Sequence, residues 1–220
     1  MSQTILDISI GHAPDPGWQG ARSVDGLYEY AYHHDQIRPA LAAAAKAAGV
    51  QSAERHLVLR WWDAADHPEW RRERRGNLLL LDRLKAIFGA DPKPAILIEL
   101  HCNASRNTRY GGQMAIYRKD RDGSEDSRSL LLASLLCGRL AQALPELKNR
   151  GAQGDLGDWV GRDLALCRWS KKRGVVGVIL ELGFLTCPAD VAVLREPGTP
   201  GKVAQAIIQA VKAFAGGGGG

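Results

Sequence analysis

The strongest constraint on the fold is an alternation in which short apolar runs rich in branched residues take turns with longer stretches of helical periodicity. Residues 5–10 (ILDISI), 56–61 (HLVLRW), 95–101 (AILIELH), 113–118 (QMAIYR) and 175–182 (VVGVILEL) have the length and β-branched content of strands. Between them lie helical patterns with identifiable ends: 26–48 starts near Asp25 and stops at Gly49, 69–88 stops at Gly89, and 126–144 stops before Pro145. A last helix over about 201–214 carries Val203, Ile207, Val211 and Phe214 at helical spacing. This order predicts an α/β fold: a single domain over 1–215 with a mixed, mostly parallel, twisted sheet flanked by helices. Residues 145–174, with Gly151, Gly154, Gly157 and Gly161, read as one long irregular excursion, which in a compact domain is more often a functional loop than filler. The five glycines at 216–220 have no side chains to pack and read as a linker or fusion scar.

Composition narrows the class without choosing a function. An apolar share of 45% with 24% charged residues over 220 positions is that of a soluble globular chain. The net charge of +5 predicts a mild attraction to polyanions such as nucleic acid, anionic lipid or the acidic polymers of a cell wall. The RRERR run at 71–75 has no interleaved aromatics and sits at a helix start, so it reads as a solvated face, and no nucleic-acid partner is expected. Cys102, Cys137, Cys167 and Cys187 form no C-x-x-C pair and are expected as free thiols. The opening MSQTILDISIGH lacks the pattern of a secretory signal, and no run reaches membrane-spanning length. Synthesis in the cytoplasm, without membrane insertion, is the expectation.

Chemistry-bearing residues collect at predicted strand ends. In α/β sheets ligand sites lie beyond the carboxyl ends of the strands. The first strand runs into Gly11-His12, the third, within ILIELHCNAS, into His101, and the fifth contains Glu181 just before Gly183. Two histidines at separate strand ends suggest a metal, although a histidine there is more often a polar rim residue. A hydrolytic zinc site usually takes three protein ligands and leaves a fourth position for water. Glu29, in the first turn of the helix over 26–48, is a candidate third ligand, and it equally suits the helix dipole. Glu29 and His33 are also one turn apart on a shared face, with His34 beside them, which makes a rival helix-borne pair.

The series GHAPDPGWQG, then Glu29, then LHCNAS, then GVILELGFLTCPADVAVL resembles the zinc-dependent N-acetylmuramoyl-L-alanine amidases, the cell-wall amidases and phage endolysins that cut peptidoglycan. The likeness runs from the first strand to the last helix, and R-x-x-x-G-N at Arg72–Asn77 is similar to that family's R-x-x-x-A-N. One departure stands out: the stretch between His12 and Asp15 is a residue shorter than the common form, with Ala13-Pro14 in place of glycines. The resemblance implies an amidase-like catalytic domain with its site at one sheet edge, zinc held by His12, Glu29 and His101, and Glu181 as the catalytic carboxylate. Zinc acidifies water and polarises a carbonyl. A glutamate free of the metal then takes a proton from the water and passes it to the leaving nitrogen.

The bond implied joins the lactyl group of N-acetylmuramic acid to the L-alanine of the stem peptide. Rival readings are another zinc peptidase or deacylase on a similar sheet, or a wall-binding module without catalysis. The expected partner is peptidoglycan, the expected state a monomer, and the expected role that of a phage endolysin released to the wall through a membrane pore made by a second protein. Glu99 stands two residues before His101 on the same strand face, so both side chains project together while Ile98 and Leu100 face the other way. A buried carboxylate needs a partner, either the free N–H of a ligand imidazole or a nearby arginine. Glu99 is therefore a candidate for orienting a zinc-bound histidine.

Overall fold

The computed structural model describes residues 4–15, 17–50, 57–67, 76–91 and 94–217. His56 and the RRERR run at 71–75, with the arginine of the R-x-x-x-G-N motif, lie outside the described residues. In chain order the elements are β1 (Thr4–Ile10), α1 (Glu29–Tyr32), a π-helical turn (His33–Ile37), α2 (Arg38–Ala47), β2 (Leu57–Trp62), α3 (Gly76–Gly89), β3 (Ile96–Asn103), β4 (Gln113–Tyr117), α4 (Ser127–Ala143), β5 (Asn149–Gly154), α5 (Ala165–Arg173), β6 (Val176–Phe184), α6 (Pro188–Leu194) and α7 (Thr199–Gly216).

These build one α/β domain around a six-stranded sheet in the order β2-β1-β3-β6-β4-β5. Strands β2, β1, β3 and β6 run parallel, β4 is antiparallel to β6, and β5 is parallel to β4. The sheet is thus mixed and mostly parallel, as the alternation of strands and helices predicts.

Because successive side chains on a strand point to opposite faces, the apolar pattern sorts the helices. Ile96, Ile98 and Leu100 of β3 join Val176, Val178 and Leu180 of β6 in one core with Leu41 of α2, Leu136 of α4 and Ile207 of α7. The other face carries Leu97, Ile116 and Ile179, covered by Leu84 and Ile87 of α3 and Leu166 of α5. Glu99 and His101 share parity with Leu97, and Glu181 shares parity with Ile179. All three therefore rise from the α3/α5 face.

The stretch 145–174 is more regular than its glycines suggest: it holds β5 and α5. Strand β5 has the sequence NRGAQG, half-exposed at the edge of the sheet, so no apolar run announces it. Of the terminal glycines, Gly216 closes α7 and 218–220 lie outside the described residues. No helix among the described residues is long and apolar enough to cross a membrane. All four cysteines are free and buried.

Candidate metal centre and cleft

His12, Glu29 and His101 arrive from three elements and place their ligating atoms within 4.8 Å of one another. His12 follows β1 and takes φ +66, the only positive φ of a non-glycine residue among those described. Such a backbone costs an L-residue energy and persists only where its surroundings fix it. Here the loop after His12 closes on itself through Ala13 N–H to Trp18 O (3.0 Å) and Trp18 N–H to Asp15 O (3.0 Å). The shortened Ala13-Pro14 loop thus still delivers the His12 ring to the site.

Glu29 opens α1 and is almost wholly buried. Its Oε1 accepts from Cys102 N–H (2.9 Å) and lies 2.8 Å from Nδ1 of His101. Its Oε2 accepts from Ala21 N–H (2.7 Å) and lies 3.2 Å from Nε2 of His12. Two backbone amides thus aim the carboxylate between the two imidazoles. Burial alone would raise its pKa, but the hydrogen bonds with His101 and His12 outweigh burial and hold the carboxyl well below the usual carboxylate range.

Two glycines make this packing feasible. A Cβ on Gly20 would sit 2.3 Å from Oε2 of Glu29 and 2.5 Å from Cδ2 of His12, at a backbone φ of +79. A Cβ on Gly11 would sit 2.2 Å from Cε1 of His101.

His101 is gripped at both nitrogens. Its Nδ1 faces Glu29, and its Nε2 lies 3.2 Å from Oε2 of Glu99. Burial works against a charged imidazole, yet the two carboxylates more than offset it and raise the pKa well above the ordinary value. Glu99 is in turn paired with Arg83 of α3, which also donates to Ile10 O (2.7 Å), and accepts a long bond from Ser9 Oγ (3.4 Å). Both partners foreseen for Glu99, an imidazole and an arginine, are present. Against burial, chiefly the Arg83 charge holds its carboxyl at about 2. Arg83 itself stands one helical turn before Ile87 in NLLLLDRLKAIF, and its place on that apolar face was the readable signal of a buried cation.

Glu181 sits beside this cluster, its Cα paired with that of His101 in the β3–β6 ladder. The side chain is partly exposed, but its Oε2 is buried without a hydrogen-bond partner. Burial is the main cause that pushes its pKa up to about 7, with His101 opposing and Glu29 and Glu99 assisting. A carboxyl in that range holds and releases a proton near neutral pH. The orphaned oxygen and the two-imidazole, one-carboxylate donor set are what a hydrolytic zinc site requires of its protein.

The helix-borne rival separates from this cluster. Buried His33 instead lies 3.5 Å from Cys102 Sγ, and His34 Nδ1 lies 2.6 Å from Asp63, a carboxylate also held by Tyr30 and Arg38. Among the described residues, only His12, Glu29 and His101 form a group able to hold a metal ion.

His12, Glu29, Glu99, His101 and Glu181 all line one cleft of about 640 Å³. The cleft lies at the carboxyl ends of β1, β3 and β6, in the middle of the strand order. The expectation of a site at a sheet edge is corrected accordingly, because the polar residues of the α3/α5 face are on interior strands.

Residues 70–213 match the family model described as N-acetylmuramoyl-L-alanine amidase. Among solved structures the chain is similar to the CwlD amidase from Clostridioides difficile, solved in complex with the GerS lipoprotein, at 18% identity and TM-score 0.74, covering 97% of this chain and 99% of that one. It is similar to an N-acetylmuramoyl-L-alanine amidase from Clostridium difficile 630 at 18% identity and TM-score 0.70, each chain covered to 100%. The catalytic domain of an endolysin targeting Clostridia difficile aligns at 20% identity and TM-score 0.71, over 96% of this chain and 98% of that one. No curated protein matches the chain.

Proposed function

The chain belongs to the N-acetylmuramoyl-L-alanine amidase family, and on that premise we propose that it is a zinc-dependent hydrolase of the amide joining N-acetylmuramic acid to the L-alanine of the peptidoglycan stem peptide. The observation that carries the reading is the unpartnered Glu181 carboxylate facing the same cleft as the three-donor cluster.

His12, Glu29 and His101 would hold one zinc ion per chain, a donor set that suits zinc better than magnesium or calcium. Bound there, zinc supplies Lewis acidity, acidifying water and polarising the amide carbonyl. Glu181 takes a proton from the attacking water and hands it to the alanine nitrogen as the C–N bond breaks, a transfer worth about 10² to 10⁴ in rate. Glu99 accepts from Nε2 of His101, which fixes the ring with Nδ1 toward Glu29, and Arg83 keeps Glu99 ionised for that task. The products are a sugar chain ending its lactyl group in a carboxylate and a peptide with a free alanine amine.

The biological setting that accompanies this reading is an endolysin made in the cytoplasm and released to the wall with the help of a pore-forming protein. Digestion of purified peptidoglycan tests the activity. New amino groups on alanine without new reducing sugar ends are expected, whereas amino groups on another residue, released acetate or reducing ends would assign a different hydrolase.

A further inference from the structure

The cleft has a direction. Along the sheet its residues come in the order His12 after β1, His101 on β3 and Glu181 on β6, and the wall beyond β6 is the segment leading into α5, with Arg162, Leu164 and Leu166 lining the cleft. That segment is tied to the far half of the sheet: Arg162 N–H donates to Asp155 O (2.8 Å), and Asp155 N–H donates to Tyr117 O (2.9 Å) at the end of β4.

Two arginines line the cleft, and their situations differ. Arg83 is buried and committed to Glu99 and Ile10 O. Arg162 is exposed, and its guanidinium has no hydrogen bond or ion pair among the described residues. Two carboxylates in its own loop serve other cations. Asp155 binds Arg118 (2.9 Å), and Asp163 binds Arg118 (2.6 Å) and Arg168. The loop is therefore braced around Arg118 and holds out on the Glu181 side one guanidinium without a hydrogen bond or ion pair, close enough for its charge to act on Glu181.

This conclusion rests on the amidase reading, in which Glu181 protonates the leaving nitrogen. The leaving group is the peptide, so the peptide must extend from Glu181 toward the Arg162 wall. With Glu29 assigned to the zinc ion and Glu99 paired with Arg83, Glu181 is the cleft carboxylate left on that side, and a peptide carboxylate extending past it meets like charge unless a cation receives it. We infer that Arg162 is the residue that binds a carboxylate of the stem peptide beyond its L-alanine, and that it selects acidic over amidated stems. A guanidinium matches a carboxylate with paired N–H donors, which lysine cannot reproduce.

The test compares a soluble muropeptide bearing free stem-peptide carboxylates with its fully amidated counterpart, using zinc-loaded wild type, Arg162→Gln and Arg162→Lys. Wild type should favour the acid by about 10-fold to 100-fold in kcat/KM, the range of a charged hydrogen-bonded pair, with the difference carried by KM. Arg162→Gln should abolish that preference, and Arg162→Lys should restore part of it. A preference that survives Arg162→Gln, or a wild type that cleaves both substrates equally, overturns the assignment and leaves the amidase reading standing. A wild type that releases no alanine amine from either substrate overturns both.

Discussion

Replacing Gly11 with alanine probes the metal cluster from the side of packing. The added Cβ would lie 2.2 Å from Cε1 of His101 and 2.6 Å from each ring nitrogen, where ordinary contact begins at 3.4 Å. The ring must therefore retreat by about 1.2 Å (3.4 minus 2.2) or the backbone must yield. The backbone is held by Gly11 N–H to Leu100 O at 3.0 Å. The ring is held at Nδ1 by Glu29 and at Nε2 by Glu99, so movement in any direction lengthens one of these contacts. Overpacking of this kind costs about 1–3 kcal/mol, and a displacement near 1 Å in a catalytic constellation costs about 10²-fold in rate. Zinc content by elemental analysis, chelator competition and turnover on peptidoglycan should all fall in Gly11→Ala. Gly138→Ala is the matched control, since Gly138 lies in α4 with nothing near its missing Cβ. It should gain about 0.5–1 kcal/mol in denaturant unfolding and keep its zinc. Full zinc occupancy and normal turnover in Gly11→Ala would refute the placement of His101 against Gly11.

Three further outcomes are expected. Glu99→Gln should weaken zinc affinity or activity by about 10-fold to 100-fold in a competition titration, and because it strands buried Arg83 it should also lower the unfolding midpoint; unchanged zinc affinity with only reduced stability would limit Glu99 to a structural ion pair. In chelator-treated protein the His33 contribution to stability should fall as pH drops from 6.5 toward 4, because burial lowers the His33 pKa from 6.5 to about 4 and the unfolded chain then binds the extra proton, while Glu181, raised to about 7, works in the opposite direction; His33→Phe should therefore gain stability relative to wild type as the pH falls through that window in thermal unfolding, and a difference between the two proteins that does not change with pH would acquit His33. Expression in the bacterial cytoplasm should leave cells intact while fusion to an export signal should lyse them; lysis without export or a pore protein would contradict the proposed endolysin setting.

Much of the site was legible because polar residues interrupt apolar runs there for no packing reason. Glu99 and His101 break β3, Glu181 breaks β6, and His12 follows β1 beside a glycine. Strand parity was enough to put Glu99 and His101 on one face, and the hydrophobic clusters agree with it. What the sequence hid depends on tertiary neighbours. Strand β5 is held by pairing with β4 and by Asn149 and Arg150 contacts, so its composition alone looks like loop. Helices α5 and α6, of nine and seven residues, are short and take their stability from the sheet and from α7. The partner of Glu99 is an arginine sixteen residues earlier, and nothing in spacing names it until α3 packs on β3. The partners that take His33 and His34, Cys102 and Asp63, come from distant parts of the chain, and no helical periodicity could reveal them.

The proposed division of roles has Glu181 moving the proton while His12, Glu29 and His101 hold the metal. Zinc occupancy and turnover of Glu181→Gln, read on the same preparation, test it most directly. The substitution keeps the shape of the side chain and removes its base, so the zinc should stay at one per chain while turnover falls by about 10² to 10⁴. Loss of the zinc would make Glu181 a ligand, and near-normal turnover with zinc bound would contradict its role in proton transfer.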